Sequence, residues 1–123
     1  MKLTNLEMLN YLEALNQISE KVYGKLGYAV ARNLRKIANE LVEFEQIRSD
    51  TFYKYATLNE NDEYELKSNT KPYKDFMDEM HEIASIRHKV DIYKIEPDVV
   101  IQSGLNAKEL NSLVFMIKDE GEE

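Results

Sequence analysis

No cysteine occurs anywhere in the chain. Disulfides, thiolate metal sites and cysteine nucleophiles are therefore excluded. Glycine and proline are scarce, four and two among 123 residues, which favours helices over a many-turned β architecture. No apolar run approaches the roughly 18–20 residues that a membrane span needs. The opening Met1-Lys2-Leu3-Thr4-Asn5-Leu6-Glu7 meets a carboxylate before a secretory apolar stretch can form. A cytoplasmic setting with no membrane contact is the expectation.

The familiar chemical templates fail in turn. Histidine is limited to His81 and His88. His81-Glu82 starts like a zinc-protease helix, but Ser85 stands where the second ligand belongs. Asp78-x-x-His81 has the spacing of half a carboxylate-bridged metal site, and a bundle of that kind needs the pair twice. A Gly-x-Ser-x-Gly nucleophile turn is absent, and Gly24-x-x-Gly27 is too short for a phosphate loop. The calcium-loop pattern starting at Asn59 fails at Tyr64, where glycine is required, and at Thr70, where glutamate is required. Glu40, Glu43 and Glu45 read as a solvated helix face rather than an acid/base pair. No catalytic residue, metal site or cofactor is expected.

What the chain does have is an ordinary globular share of apolar and charged residues, 43% and 32%. One domain spanning residues 1–123 is the expected organisation. The net charge of −7 is uneven: residues 1–36 hold six Lys/Arg against three Asp/Glu, and residues 37–123 hold ten against twenty. Such an acidic balance makes direct nucleic-acid binding unexpected, because phosphate neutralisation supplies most of that affinity.

Thr4-x-x-Glu7 is a capping box with Leu3 and Met8 at staple positions. It opens a first helix predicted over 5–23, with apolar residues at Met8, Leu12, Leu15, Ile18 and Val22. After a short Gly24–Gly27 connection, Val30, Leu34, Ile37, Leu41 and Phe44 mark one long second helix over 28–55, antiparallel to the first. Residues 57–71 read as a polar loop or hairpin, with Thr57–Leu58 set against Tyr64–Leu66. Pro72 suits the first turn of a third helix over 72–88, with Thr70 or Lys71 at the cap position. Val90-Asp91-Ile92-Tyr93-Lys94-Ile95 alternates like a strand, and Val99–Ile101 reads as a second extended piece, so 90–101 forms the strand region. Asn106-x-x-Glu109 is a second capping box, with Leu105 and Leu110 at staple positions, and opens a last helix over 106–118. The class is α+β and mainly α: a helical hairpin, a third helix, a small β element and a short C-terminal helix.

Two surface features carry the functional reading. Arg32, Arg35 and Lys36 lie three and four residues apart on the second helix, with Lys25 upstream. They either grip an acidic partner or a phosphate, or pair with the protein's own carboxylates. The other feature is eight tyrosines against no tryptophan. Tyr53, Tyr55, Tyr64, Tyr73 and Tyr93 gather around the polar loop and its flanks and serve either an interface or loop packing.

The run Lys25-x-x-Tyr28-x-x-Ala31-Arg32-Asn33-x-x-Lys36, followed by Glu40, Phe44-Glu45, Arg48 and Tyr55, resembles an uncharacterised family of small phage and prophage proteins of low-GC Gram-positive bacteria. Gly24 stands where that pattern has proline. The resemblance implies no activity and no functional residues. It implies a phage accessory protein, in virion assembly or against the host. With no catalytic template met, the favoured expectation is a non-catalytic protein in the host cell that acts through a protein–protein surface. The partner is the chain itself, a phage protein or a host protein, and a homo-oligomer and association with the virion are among the expected forms. Two alternatives stand beside it: an acidic inhibitor of a host nucleic-acid enzyme or defence complex, and a protein that binds or sequesters a small ligand.

Overall fold

A computed structural model describes residues 1–119. The elements in chain order are β1 (Lys2–Thr4), α1 (Asn5–Ile18), α2 (Gly24–Glu40), α3 (Val42–Tyr55), β2 (Thr57–Leu58), β3 (Tyr64–Glu65), α4 (Lys71–Ala84), β4 (Arg87–Lys89), α5 (Pro97–Ile101) and α6 (Ala107–Ser112). Short 3-10 turns follow α1 (Ser19–Lys21) and α6 (Val114–Met116). The fold is α+β and mainly helical.

Local capping starts the helices. The Thr4 hydroxyl accepts from the Glu7 amide while the Glu7 carboxylate accepts from the Thr4 amide. Asn106 and Glu109 repeat the device at α6, and Thr70 caps α4 with Pro72 in its first turn. α1 ends at Ile18, short of the expected Tyr23, and the chain passes through a 3-10 turn into extended Val22. Gly24 and Gly27 are not a connection but the first turn of α2. At Gly27 a side chain would come within 3.1 Å of the Val22 carbonyl oxygen, so glycine lets the incoming chain lie against the helix.

The second helix is not continuous over 28–55. It breaks at Leu41, whose backbone (φ −87°, ψ −5°) closes α2 and opens α3. The break lets the two halves take different partners, α1 for α2 and α4 for α3. Leu12 lies beside Ala38 and Leu41 across one groove, although Ile18 and Gly24 are joined by a short link, so α1 and α2 run antiparallel. The hydrophobic core extends from Leu3 through Met8, Leu15, Val30 and Ile37 to Leu113 and Met116.

The β elements correct the expected strand region. β1 pairs antiparallel with β4, with Leu3 opposite His88. His88 thus lies on a strand and not on α4, which ends at Ala84 rather than at residue 88. Asn5 ties the two chain segments further: its amide nitrogen donates to Ile86 O (3.2 Å) and its side chain to Ile83 O (2.9 Å). Residues 90–96 bury Val90, Ile92 and Ile95 but form no strand; Ile95 makes only an isolated parallel bridge to Ile117. Their backbone is satisfied piecewise, by Met1 at Val90, by the Asn33 side chain at Tyr93, and by Met116 and Lys118 at Ile95. Val99–Ile101 is not extended; it belongs to α5, which Pro97 starts. The last helix is shorter than 106–118, being α6 and then a 3-10 turn. The polar loop does contain the hairpin, with Thr57 opposite Glu65 and Leu58 opposite Tyr64.

Candidate interaction surfaces

The side chains of Tyr28, Arg32 and Lys36 recur every four residues and so share one side of α2. Between the buried positions of the same helix sits Asn33, with no solvent exposure. Its side-chain nitrogen donates to the Tyr93 carbonyl oxygen (2.9 Å) and its oxygen accepts from the Tyr93 amide (2.8 Å). The same nitrogen lies 3.5 Å from the Met116 sulfur. One amide side chain therefore acts as the missing strand for residue 93 and fixes the 90–96 segment along α2.

That clamp determines where the basic residues go. Arg32 lies over the Tyr93 ring, 4.8 Å from its centre, and donates to the Tyr28 hydroxyl at 3.1 Å. The Tyr28 and Tyr93 rings meet edge to face at 5.7 Å. Lys36 donates to the Asp91 carbonyl oxygen at 2.7 Å and pairs with its carboxylate at 3.4 Å. Lys25 and Arg35 are exposed and have no ion-pair partner among the described residues. Of the four basic residues, Arg32 and Lys36 are engaged by the 91–93 segment and Tyr28, Lys25 lines a cleft beside Tyr28, and Arg35 is exposed. Of the expected tyrosine cluster, Tyr93 belongs here and not with the loop.

Of the other tyrosines, Tyr53 and Tyr64 come together at the far end of α3. Tyr53 meets Tyr64 edge to face at 5.1 Å, and Phe52 meets both Tyr53 (5.3 Å) and Phe76 (6.3 Å) in the same manner. Leu58 lies directly opposite Tyr64 and so on its side of the hairpin. The result is a band running Leu58–Tyr64–Tyr53–Phe52–Phe76, and its first three members are 57%, 52% and 55% exposed. A groove of about 390 Å³ lies alongside, between Glu45, Arg48 and Phe76. Tyr55 points elsewhere: its hydroxyl donates to Glu79 (3.0 Å), which also takes Lys54 (2.8 Å). The Lys54 hydrogen bond holds the Glu79 carboxyl below its ordinary value, and the Glu79 hydrogen bond holds the Lys54 ammonium above its own. Tyr73, half-buried on α4, lines a separate groove with Met77.

The hairpin tip completes this surface. Asn59 builds it, its side-chain oxygen accepting from the amides of Asn61 (2.8 Å) and Glu63 (3.1 Å), while Asp62 takes a left-handed backbone at φ 59°. Glu60, Asp62 and Glu63 are all exposed, and none has an ion-pair partner among the described residues. The neighbouring cations are already taken: Arg48 by Glu45, Lys54 by Glu79, Lys67 by Glu65 and Lys71 by Asp75.

Sequence reasoning missed Asn33 as a clamp, Tyr28 as the ring partner of Tyr93, and Leu58, Phe52 and Phe76 as members of the band. A polar residue one turn from both Val30 and Ile37 was the available signal for Asn33. Among the described residues, no group of three or more His, Asp or Glu is placed to hold a metal ion, and no helix is long and apolar enough to cross a membrane. Compared with protein-family models, curated proteins and solved structures, the chain matches none.

Proposed function

We propose that this is a non-catalytic interaction protein that docks on a basic protein surface through the α3–hairpin face. The observation that carries this reading is the ring band with its exposed Leu58, Tyr64 and Tyr53. Large apolar side chains locked by edge-to-face packing lose little freedom on binding and make effective interface anchors. The unpaired carboxylates of Glu60, Asp62 and Glu63 beside the band give the partner's charge: cationic residues flanking an apolar patch. The resemblance supports a phage-encoded accessory protein as the biological setting, in virion assembly or against the host.

The same three carboxylates favour a second reading, in which the partner is a nucleic-acid enzyme or defence complex and the acidic tip imitates phosphate charge. One comparison tests both. The wild-type chain, Tyr53→Ala/Tyr64→Ala, Glu60→Lys/Asp62→Lys/Glu63→Lys and, as a control from the other face, Arg35→Ala are immobilised and the proteins they capture from the producing cells identified. The expected result is a partner held by the wild type and the Arg35 variant and lost from the other two. Equal capture by all four refutes the docking face. If added duplex DNA displaces the partner, the mimicry reading replaces the first.

A further inference from the structure

At the other side of the molecule, a cleft of about 480 Å³ opens between the start of α2, residues 93–96 and α5. That volume falls in the range of small-molecule sites, about 300–1,000 Å³. Its chemistry is unusual for a chain of net charge −7. Lys25, Lys94 and Lys118 line it, with Glu96 as the one carboxylate among the described lining residues, itself accepting from Lys118 at 2.8 Å. Lys25 has no ion-pair partner among the described residues. Its floor is apolar, from buried Ile95 and half-buried Val99.

One wall is the Tyr28–Tyr93 pair. The rings stand at 81° to each other, so they form a corner: a flat ligand ring stacked on one meets the other edge-on. Arg32 holds this corner from outside the cleft, over Tyr93 and on the Tyr28 hydroxyl. Asn33 fixes the Tyr93 backbone beneath it. The corner is thus organised before any ligand arrives, which lowers the cost of binding. At the mouth, the charge open to a ligand is that of exposed Lys25.

We propose that this cleft binds a small planar phosphomonoester of the nucleoside monophosphate class. The ring stacks in the Tyr28–Tyr93 corner and the phosphate faces Lys25. A bare anion would use the lysines and leave the corner idle; a neutral ring would do the reverse. The combination of the two in one cleft calls for both parts on one molecule.

The test titrates the full chain with the four ribonucleoside 5′-monophosphates, the matching nucleosides and inorganic phosphate, following the Tyr28 and Tyr93 ring resonances. At least one monophosphate is expected to shift both rings saturably, and to bind at least about tenfold more tightly than its nucleoside or than phosphate, the weight of one charge-assisted contact. Lys25→Glu and Tyr28→Leu, both exposed positions, should each weaken it about tenfold with the circular dichroism unchanged. No saturable shift with any monophosphate overturns the proposal. So does equal binding of the nucleoside, equal binding of phosphate alone, or indifference to Lys25→Glu. Because the cleft and the hairpin face share no residue, the outcome leaves the docking reading untouched.

Discussion

Replacing Asn33 tests the central structural claim, that one buried amide holds residues 90–96 in place. Asn33→Leu keeps the number of side-chain heavy atoms and the helix but removes both bonds to Tyr93, and its bulkier methyls add some packing strain at the buried site. A buried backbone group left without a partner costs about 1–3 kcal/mol. Tyr93 is 36% exposed, so water recovers part of that for its backbone, and leucine gains a few tenths in helix propensity. The net loss is about 2–3 kcal/mol, a large share of a stability of about 5–15 kcal/mol, and lowers Tm by about 10 °C. Urea unfolding followed by circular dichroism measures it, and hydrogen exchange reports the Tyr93 amide directly. Asn33→Asp adds a pH signature. Burial disfavours the charged form of the introduced carboxylate, so its folded pKa rises above the unfolded value of about 3.9. A raised folded value means that the protonated form, which can still donate to the Tyr93 carbonyl, is tolerated at low pH. The penalty then grows as pH rises. The difference from wild type should be smaller near pH 4 than near pH 7. An Asn33→Leu protein within about 0.5 kcal/mol of wild type, with Tyr93 still protected, would refute the clamp.

Two further outcomes follow from the polar geometry. The Glu109 carboxyl lies below its ordinary 4.5 because of the Lys21 hydrogen bond at 2.7 Å and then the Asn106 amide. A depressed folded value gives stability that is complete above 4.5 and lost as pH falls through the folded value. Lys21→Met should therefore flatten the dependence of the urea midpoint on pH below 4.5, and an unchanged slope would contradict it. Asn59→Ala removes the acceptor of two hairpin amides. Its effect should be local, about 1 kcal/mol, seen as roughly fivefold faster exchange at Glu63 with the global midpoint unmoved. Loss of global stability would show that the hairpin is part of the cooperative core.

Local signals in the chain were legible because their chemistry spans only a few residues. Both capping boxes stand at the residues the spacing names; the structure selects Thr70 over Lys71 as the α4 cap and sets the Thr57–Leu58 and Tyr64–Leu66 segments in the register Leu58 opposite Tyr64. The break at Leu41 was not legible, since Ile37, Leu41 and Phe44 keep a continuous helical spacing across a one-residue kink. β1 and β4 pair across a separation that only the finished core creates, and Lys-Leu-Thr and Arg-His-Lys carry no alternation to mark them. The alternation of 90–95 points to a strand, but burial passes from Val90 and Ile92 to Ile95 rather than to residue 94, and no ladder forms. The partner of residue 93 is a side chain, and periodicity says nothing of side-chain partners. Tyr93 was grouped with the loop tyrosines for the same reason: the residue that draws it to α2 lies 60 positions earlier.

The distribution of unpaired charge links the two surfaces. Most of the named ion pairs are exposed contacts, worth roughly 0–1 kcal/mol each. Lys71–Asp75 and Lys74–Asp78 are one helical turn apart, while Lys54–Glu79 and Lys21–Glu109 join different elements. Their consequence lies less in stability than in what they leave unmatched. Around the ring band the cations are neutralised and the tip carboxylates are not. At the start of α2 the free charge is Lys25. A partner approaching from solvent meets net negative charge at one end and a lysine-lined cleft at the other. If both proposals hold, ligands of opposite charge are told apart by a chain whose overall charge would favour only one of them.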